Sequence, residues 1–164
     1  MFGFFKKNKG GSLFESIKIG SSVIYKSDEW TVKDVYTYVW DNGVKDHEFE
    51  LKKMGKTLYL GFSGSYEEWS MYESAENDKI PFDFSRLALA KRELPKNFDF
   101  GIDKFKLVDQ GLAMVTNSEE SFSMENWWYK ASSSNNYFSF NKYEDSTVEI
   151  YKGKTINETD FKVK

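Results

Sequence analysis

The sequence contains no cysteine, only two prolines and a single histidine, His47, among its 164 residues. Without cysteine, the chain has no thiol nucleophile, no disulfide framework and no cysteine-ligated zinc. No apolar run approaches the roughly 20 residues that a membrane-spanning helix requires. The first residues place aromatic side chains before lysines, which reverses the order of a secretory signal. These absences predict a cytoplasmic protein without cofactors or metal ions.

The charge of the chain is mildly acidic, with a formal net charge of −3 at pH 7 and a pI near 5.4. The first eleven residues contain Lys6, Lys7 and Lys9 and no acidic residue, so the rest of the chain is more acidic than the whole. A body of that sign repels the phosphate backbone of nucleic acids. We therefore expect no nucleic-acid partner.

Aromatic residues make up 18% of the chain and occur in short segments that alternate polar and apolar positions. Tyr36, Tyr38 and Trp40 share one face of such a segment, whose phase slips near Asp34 as it does at a β-bulge. Alternation of this kind is typical of half-buried strands. The sequence predicts a mainly β fold: an antiparallel sandwich or barrel of about ten to twelve strands with at most one or two short helices.

The domain organisation follows from the composition along the chain. We interpret residues 1–12 as a basic aromatic tail and residues 13–164 as a single β-rich domain. Residues 16–73 and 101–164 carry faintly similar strand motifs, so two similar half-units, and with them an internal duplication, form a further hypothesis. Two antiparallel half-units packed together would bury the aromatic faces of both.

Glycine and proline mark several predicted ends of elements. Gly55-Lys56 and Gly153-Lys154 are both interpreted as hairpin turns. The stretch Ser85–Leu94, which Pro81 and Pro95 bracket, is rich in good helix formers. It predicts a short helix with its first residue as N-cap, and the alternative interpretation is an extended connector.

A series of short motifs follows a known family pattern: a glycine with a β pair, a Trp-Val strand, a Glu-x-x-Leu strand, and a leucine with a downstream tryptophan. These motifs occupy residues 17–25, 29–35, 48–51 and 58–69, and later ones follow at 105–113, 128–129, 138–140 and 149–153. With them the chain resembles, over residues 16–163, the family catalogued as domain of unknown function 4178. The resemblance implies a β-rich fold and a bacterial origin, and it implies no catalytic residue.

The tail is the first candidate site for contact with a membrane or a partner. Its aromatic side chains suit insertion into an interface, and its lysines are attracted to anionic lipid. The alternative is an unstructured terminus that happens to be basic. The residues concerned are Phe2, Phe4, Phe5, Lys6, Lys7 and Lys9.

Four tryptophans, Trp40, Trp69, Trp127 and Trp128, are candidates for an aromatic binding surface. Adjacent residues of a strand point to opposite faces, so we expect one of Trp127 and Trp128 in the core and the other exposed or at an interface. His47 shares a strand face with apolar residues and is interpreted as a structural or surface histidine. We expect no catalytic residue and no metal ligand.

These features favour a non-enzymatic binding or scaffold module of the bacterial cytoplasm, peripheral to the inner face of the membrane. Its partner would be an unidentified protein or an anionic membrane surface, and self-association is a further option. The alternative is a ligand-binding β-domain that uses its aromatic residues for a sugar or another small molecule, which requires a concave pocket where two or more tryptophans converge. An enzyme would need carboxylates in a cleft, for example Glu48 or Glu125 near a tyrosine.

The tail hypothesis predicts that the full chain floats with anionic liposomes at low salt and not with neutral ones. Residues 12–164, which lack most of the tail, should remain unbound under both conditions. Density-gradient flotation of the two chains measures this directly. Equal behaviour of the two chains with anionic liposomes would contradict the hypothesis.

Overall fold

The computed structural model describes residues 13–164, which form eleven antiparallel strands and one short helix. Short 3₁₀ turns occupy Phe14–Ser16, Asn77–Lys79 and Glu158–Asp160. The helix is α1 (Phe84–Leu89). The strands are β1 (Ser22–Tyr25), β2 (Asp28–Trp40), β3 (Lys45–Lys53), β4 (Lys56–Ser63), β5 (Glu68–Ala75), β6 (Asn97–Phe100), β7 (Asp103–Thr116), β8 (Ser121–Ala131), β9 (Asn136–Tyr143), β10 (Val148–Ile156) and β11 (Phe161–Val163).

Eight strands close into a barrel in the order β2-β3-β4-β5-β10-β9-β8-β7. The ring closes because Thr37–Trp40 of β2 also pairs with Ala113–Thr116 of β7. The remaining strands extend the sheet beyond the ring: β1 and β11 from the first part of β2, and β6 from the first part of β7. The mainly β, barrel-type fold is thereby confirmed, whereas the duplication hypothesis stays a prediction.

Each of the two long strands contains an irregularity where it bends. The register of β2 with β3 shifts between Val32 and Asp34, which is where the sequence predicts a bulge. The register of β7 with β8 shifts in the same way between Leu107 and Asp109. A bulge increases the local bend and twist of a strand. One part of β2 or β7 can therefore pair within the barrel while the other part pairs with strands outside it.

The first hydrophobic cluster packs against the outer face of the barrel, on β3, β4 and β5. Phe49, Leu51 and Leu60 are almost completely buried there. The extension folds back over this face, so that the ring of Phe161 on β11 lies 4.9 Å from that of Trp69 on β5, although β11 and β5 are distant in the strand order.

The second hydrophobic cluster covers the outer face of β8, β9 and β10. Phe84 of α1 is fully buried and contacts Trp127 and Phe140 edge-on, with ring centroids 5.7 and 4.9 Å apart. Phe98 of β6 packs against Tyr129 in the same cluster. The apolar side chains of these two clusters therefore lie outside the barrel wall. A third and smaller cluster, around Ala113, Val115 and Met124, packs with Tyr38 and Trp40 on the inner face.

The helix differs from its predicted bounds. It begins at Phe84 rather than Ser85, and its N-cap is Asp83, whose carboxylate accepts a hydrogen bond from the backbone N–H of Arg86 at 3.1 Å. It ends at Leu89, five residues before the predicted end. Burial of Phe84 and Ala88 fixes this single turn and a half against the barrel, and the propensity of the following residues is not enough to extend it.

The interpretation of Gly153-Lys154 as a hairpin turn is wrong, because both residues lie inside β10. Gly55 does occupy a turn, with a positive φ of 77°. At Gly153 a glycine is required for another reason. A Cβ atom there would lie 2.4 Å from the carbonyl oxygen of Met71 and 2.4 Å from Cβ of Tyr72. β5 and β10 can pair this closely only because Gly153 has no Cβ atom.

Gly153→Ala should therefore lower the free energy of unfolding by about 1–3 kcal/mol, the usual cost of overpacking. The matched control is Gly111→Ala in β7, where a Cβ atom would meet nothing closer than 3.5 Å and should change stability by less than about 0.5 kcal/mol. Urea unfolding of the two variants measures the difference. Equal stability of the two variants would contradict the proposed close approach of β5 and β10.

Candidate functional site

The interior of the barrel contains a cavity of about 220 Å³ that is lined by both polar and aromatic side chains. Its wall includes the side chains that alternate with the apolar outer residues along the strands. Two tryptophans, five tyrosines, several serines and asparagines, and four acidic residues line it. The lining includes Tyr38, Trp40, Asp41, Asp46, Glu48, Tyr66, Tyr72, Asp109, Asn126, Trp128, Tyr137, Ser139, Asn141 and Tyr151.

Glu48 lies on the inner face of β3, opposite to its neighbour Phe49 in the first hydrophobic cluster. Tyr38 of β2 donates a hydrogen bond to its Oε2 atom at 2.9 Å, and Tyr72 of β5 donates a second bond to the same oxygen. The side chain retains accessible surface although protein surrounds it, because it forms part of the cavity wall. Glu48 is therefore a carboxyl group enclosed by protein and facing an internal space.

Burial raises the pKa of the Glu48 carboxyl from its ordinary value of 4.5 to about 7. The two tyrosine hydroxyls oppose this effect by stabilising the carboxylate, whereas the nearby Glu149 and Glu50 reinforce it. Burial also raises the pKa values of Tyr38 and Tyr72 well above 10. At neutral pH these two tyrosines are therefore hydrogen-bond donors, and Glu48 titrates.

Asp46 organises one end of the cavity. Its Oδ2 accepts a hydrogen bond from the indole N–H of Trp40 at 2.8 Å, and its Oδ1 accepts one from the backbone N–H of Gly64 at 2.7 Å. Burial raises the pKa of Asp46, and these hydrogen bonds act against that rise. The carboxylate thereby links Trp40, at the end of β2, to Gly64 in the turn between β4 and β5.

A lysine ammonium group rests on aromatic rings at the edge of the cavity. Nζ of Lys130 lies 4.7 Å from the centre of the Trp128 ring and 5.0 Å from that of Tyr66. The same atom is 3.1 Å from a carboxylate oxygen of Glu68. The two rings meet edge-on at 4.9 Å. These four side chains show how this wall accommodates a positive charge.

Amides and hydroxyls complete the polar surface. Asn126 of β8 donates hydrogen bonds to Ser139 at 2.8 Å and to the side-chain oxygen of Asn141 at 2.7 Å. Asn141 is the one polar residue of the described chain that is buried to the same degree as the hydrophobic core. Two further tyrosine–carboxylate pairs, Tyr36 with Glu50 and Tyr143 with Glu149, join β2 to β3 and β9 to β10.

The family described as "Domain of unknown function (DUF4178)" matches residues 18–158. The chain belongs to the DUF4178 family. The matched stretch contains all eight barrel strands and every residue that lines the cavity, and it confirms the resemblance found in the sequence. No curated protein and no solved structure matches the chain. The bacterial origin stays a prediction.

The four candidate tryptophans of this DUF4178 domain separate into two groups. Trp40 and Trp128 line the cavity. Trp69 and Trp127 are 3% and 6% exposed and belong to the two outer hydrophobic clusters, so neither presents a ring face to a ligand. Trp127 and Trp128 point to opposite sides of the barrel wall, one into the core and one into the interior.

The two candidate carboxylates also separate. Glu48 lies beside two tyrosines inside the cavity, as described above. Glu125 interacts instead with Gln110, whose amide nitrogen is 3.4 Å from its carboxylate. His47 stacks on Phe14, with ring centroids 4.1 Å apart, and burial lowers its pKa. This histidine thus packs against the edge of the first hydrophobic cluster and also borders the cavity, and its interpretation as structural stays a prediction.

The tail residues Phe2, Phe4, Phe5, Lys6, Lys7 and Lys9 lie outside the described residues, and their contact with a membrane or a partner stays a prediction. No helix within residues 13–164 is long and apolar enough to cross a membrane. In the same part of the chain, no three acidic or histidine side chains come together in a way that could hold a metal ion.

Sequence reasoning missed Tyr72, Tyr137, Asn126, Ser139 and Asn141 as parts of a site. The alternation of β3 carried one signal, because Glu48 and Glu50 face away from Phe49 and Leu51 on a strand that is otherwise largely buried. A second signal is the common face of Tyr36, Tyr38 and Trp40. Only the closure of the barrel shows that these two faces meet.

Glu48→Gln should change how stability depends on pH. The folded-state pKa of Glu48 is about 7, above its ordinary value, so the folded chain holds a proton that the unfolded chain releases between about pH 4.5 and 7. Stability is therefore lost as the pH rises through this range. From pH 5 to pH 8 the glutamine variant should gain about 2 kcal/mol in unfolding free energy relative to the parent chain.

Urea unfolding at pH 5 and pH 8 measures this difference. Glu125→Gln is the matched control, since it removes the same charge outside the cavity, and its profile should run parallel to that of the parent chain. A parallel profile for Glu48→Gln as well would mean that the carboxyl group is solvated in the folded chain.

Proposed function

We propose that this DUF4178 domain is a non-enzymatic binding module that takes a small polar molecule into the interior of its barrel. The observation that carries this proposal is the cavity inside the barrel, which residues from all eight barrel strands line. Proteins usually fill the interior of a small barrel with side chains, and barrels of about eight strands also have room for one small ligand. A barrel interior whose lining includes hydrogen-bonding groups is suited to binding one small ligand.

The aromatic wall supports the same proposal. The alternative derived from the sequence requires a pocket where two or more tryptophans converge, and Trp40 and Trp128 line the same cavity. Ligand sites combine flat apolar surfaces with a few well-placed polar groups that fix orientation. Here the tryptophan rings supply the first property, and Glu48, Asn126 and Ser139 supply the second.

The size of the cavity limits the ligand to a small metabolite or to one end of a larger molecule. Its volume of about 220 Å³ is below the range of about 300–1,000 Å³ that is usual for pockets of drug-sized ligands. Membrane or protein contact through the tail is compatible with this proposal, because the tail and the cavity involve different residues. In that arrangement the tail would locate a domain that binds a small molecule.

A second candidate function is acid–base catalysis at Glu48. The specific observation in its favour is a carboxyl group with a pKa of about 7 that faces a cavity beside two tyrosines. Those tyrosines remain protonated at neutral pH, so Glu48 is the one of these three groups that can accept a proton there. Binding without conversion is the simpler use of the same groups.

The test observes the indole N–H signals of the 15N-labelled full chain by NMR. The probes are glucose, butan-1-ol, n-butylammonium and butyrate, which differ in charge and hydrogen bonding. At least one should shift the signals of Trp40 and Trp128 in a saturable way. The signals of Trp30, Trp69 and Trp127, which lie in the outer clusters, serve as internal controls and should remain in place.

Leu112→Ala, a change at an exposed residue, should leave these shifts unaltered, whereas Trp128→Ala should weaken binding as read from Trp40. The absence of a saturable shift with all four probes, or shifts confined to the outer tryptophans, would contradict the proposal. Chemical conversion of a bound probe during overnight incubation would favour catalysis instead.

A further inference from the structure

The geometry points to a small organic cation, bound through an ammonium group, as the ligand of the barrel interior. This inference rests on the proposed function and specifies the chemical class of the ligand. It draws on the sign of the charges around the cavity, on the orientation of the aromatic rings at its edge, and on the surroundings of one carboxyl group.

The charged side chains that line the cavity are acidic. Asp41, Asp46, Glu48 and Asp109 line it, whereas no lysine or arginine within residues 13–164 does so. A carboxylate or phosphate ligand would enter a space where four acidic groups repel it, and the lysine at its edge, Lys130, is already paired with Glu68. For a cation the same groups provide the partner that a buried charge requires.

The aromatic residues add an attraction for the same class of ligand. The face of a tyrosine or tryptophan ring is electron-rich, and it attracts an ammonium group by about 0.5–2 kcal/mol, depending on how far water is excluded. Tyr38 and Tyr72 direct their hydroxyl groups at the Glu48 carboxyl, and Tyr137 lies close enough to interact with it electrostatically, so rings from three strands lie near this group. Several aromatic rings grouped around one point form the usual surroundings of a bound quaternary ammonium group.

Lys130 provides an example of this recognition within the chain itself. Its ammonium group is held by the rings of Trp128 and Tyr66, at 4.7 and 5.0 Å, and by the carboxylate of Glu68 at 3.1 Å. Trp128 and Tyr66 also line the cavity. The wall therefore already binds one primary ammonium group through the combination of groups that the interior offers to a ligand.

Glu48 provides the position for the ligand's charge. Both tyrosine hydroxyls donate to Oε2, and no other donor among the described residues reaches the carboxyl group. With respect to residues 13–164, Oε1 is therefore an acceptor without a donor, on a residue of the cavity wall. A bound ammonium group would donate to this oxygen and would also compensate the charge of a buried carboxylate.

Binding of a cation should consequently depend on pH, because it requires the carboxylate form of Glu48. The pKa of this group in the free chain is about 7, so affinity should be about tenfold higher at pH 8 than at pH 6. The tyrosines that face it have pKa values above 10 and do not titrate in this range.

The groups around Glu48 come from several strands of the barrel. They are Tyr38 on β2, Glu50 on β3, Tyr59 on β4, Tyr72 on β5, Tyr137 on β9, and Glu149 and Tyr151 on β10.

The experiment compares n-butylammonium, which has the length of a lysine side chain, with butan-1-ol, its neutral analogue. The full chain is titrated with each at pH 6 and pH 8 in low salt, and the indole signals of Trp40 and Trp128 report binding. We expect butylammonium to bind at least tenfold more tightly than butan-1-ol at pH 8. Glu48→Gln should remove most of this preference, and Glu125→Gln should preserve it.

The outcomes separate this inference from the proposed function. If glucose, butan-1-ol or butyrate shifts the cavity signals and butylammonium does not, the cavity binds small molecules and the inference of a cation is wrong. If Glu48→Gln keeps the full preference for butylammonium, the cation binds elsewhere and the inference is also wrong. If no probe shifts the cavity signals, the proposed function fails and the inference fails with it.

Discussion

The pairing of Thr37–Trp40 in β2 with Ala113–Thr116 in β7 is the interaction on which the rest of the structure depends. Without it, the strands would form an open sheet with one face covered by hydrophobic clusters and the other exposed to water. With it, the second face becomes the inside of a barrel. The polar side chains of that face are then enclosed, and tyrosines, carboxylates and amides have to satisfy one another or an enclosed molecule.

The two sides of the barrel wall therefore differ: the outer side contributes apolar packing and the inner side carries polar groups. The outer clusters, formed around Phe49, Leu51 and Leu60 on one side and around Phe84, Tyr129 and Phe140 on the other, provide most of the buried apolar surface. The interior is therefore free to hold polar groups whose burial weakens the fold, Glu48 above all. A costly group in an enclosed position, with rings and hydrogen-bond donors around it, is characteristic of a binding or catalytic site.

Local patterns were sufficient to predict the strands and the bulge near Asp34, because alternation and turn residues depend on neighbours in sequence. They also separated Trp127 from Trp128. They failed at Gly153, where the reason for glycine is the close approach of Tyr72 on another strand, and at the cavity, which depends on pairing between strands about 75 residues apart in sequence. The helix was too long in the prediction because burial of Phe84, and not propensity, sets its position.

We infer that Glu48 is a buried carboxyl group that faces a cavity able to receive a cation. The most direct measurement is an NMR titration of its side-chain carboxyl carbon in the full chain, assigned with Glu48→Gln. The account predicts a midpoint near pH 7, shifted to lower pH by saturating n-butylammonium because a bound cation stabilises the carboxylate. A midpoint near 4.5 that does not respond to n-butylammonium would contradict it.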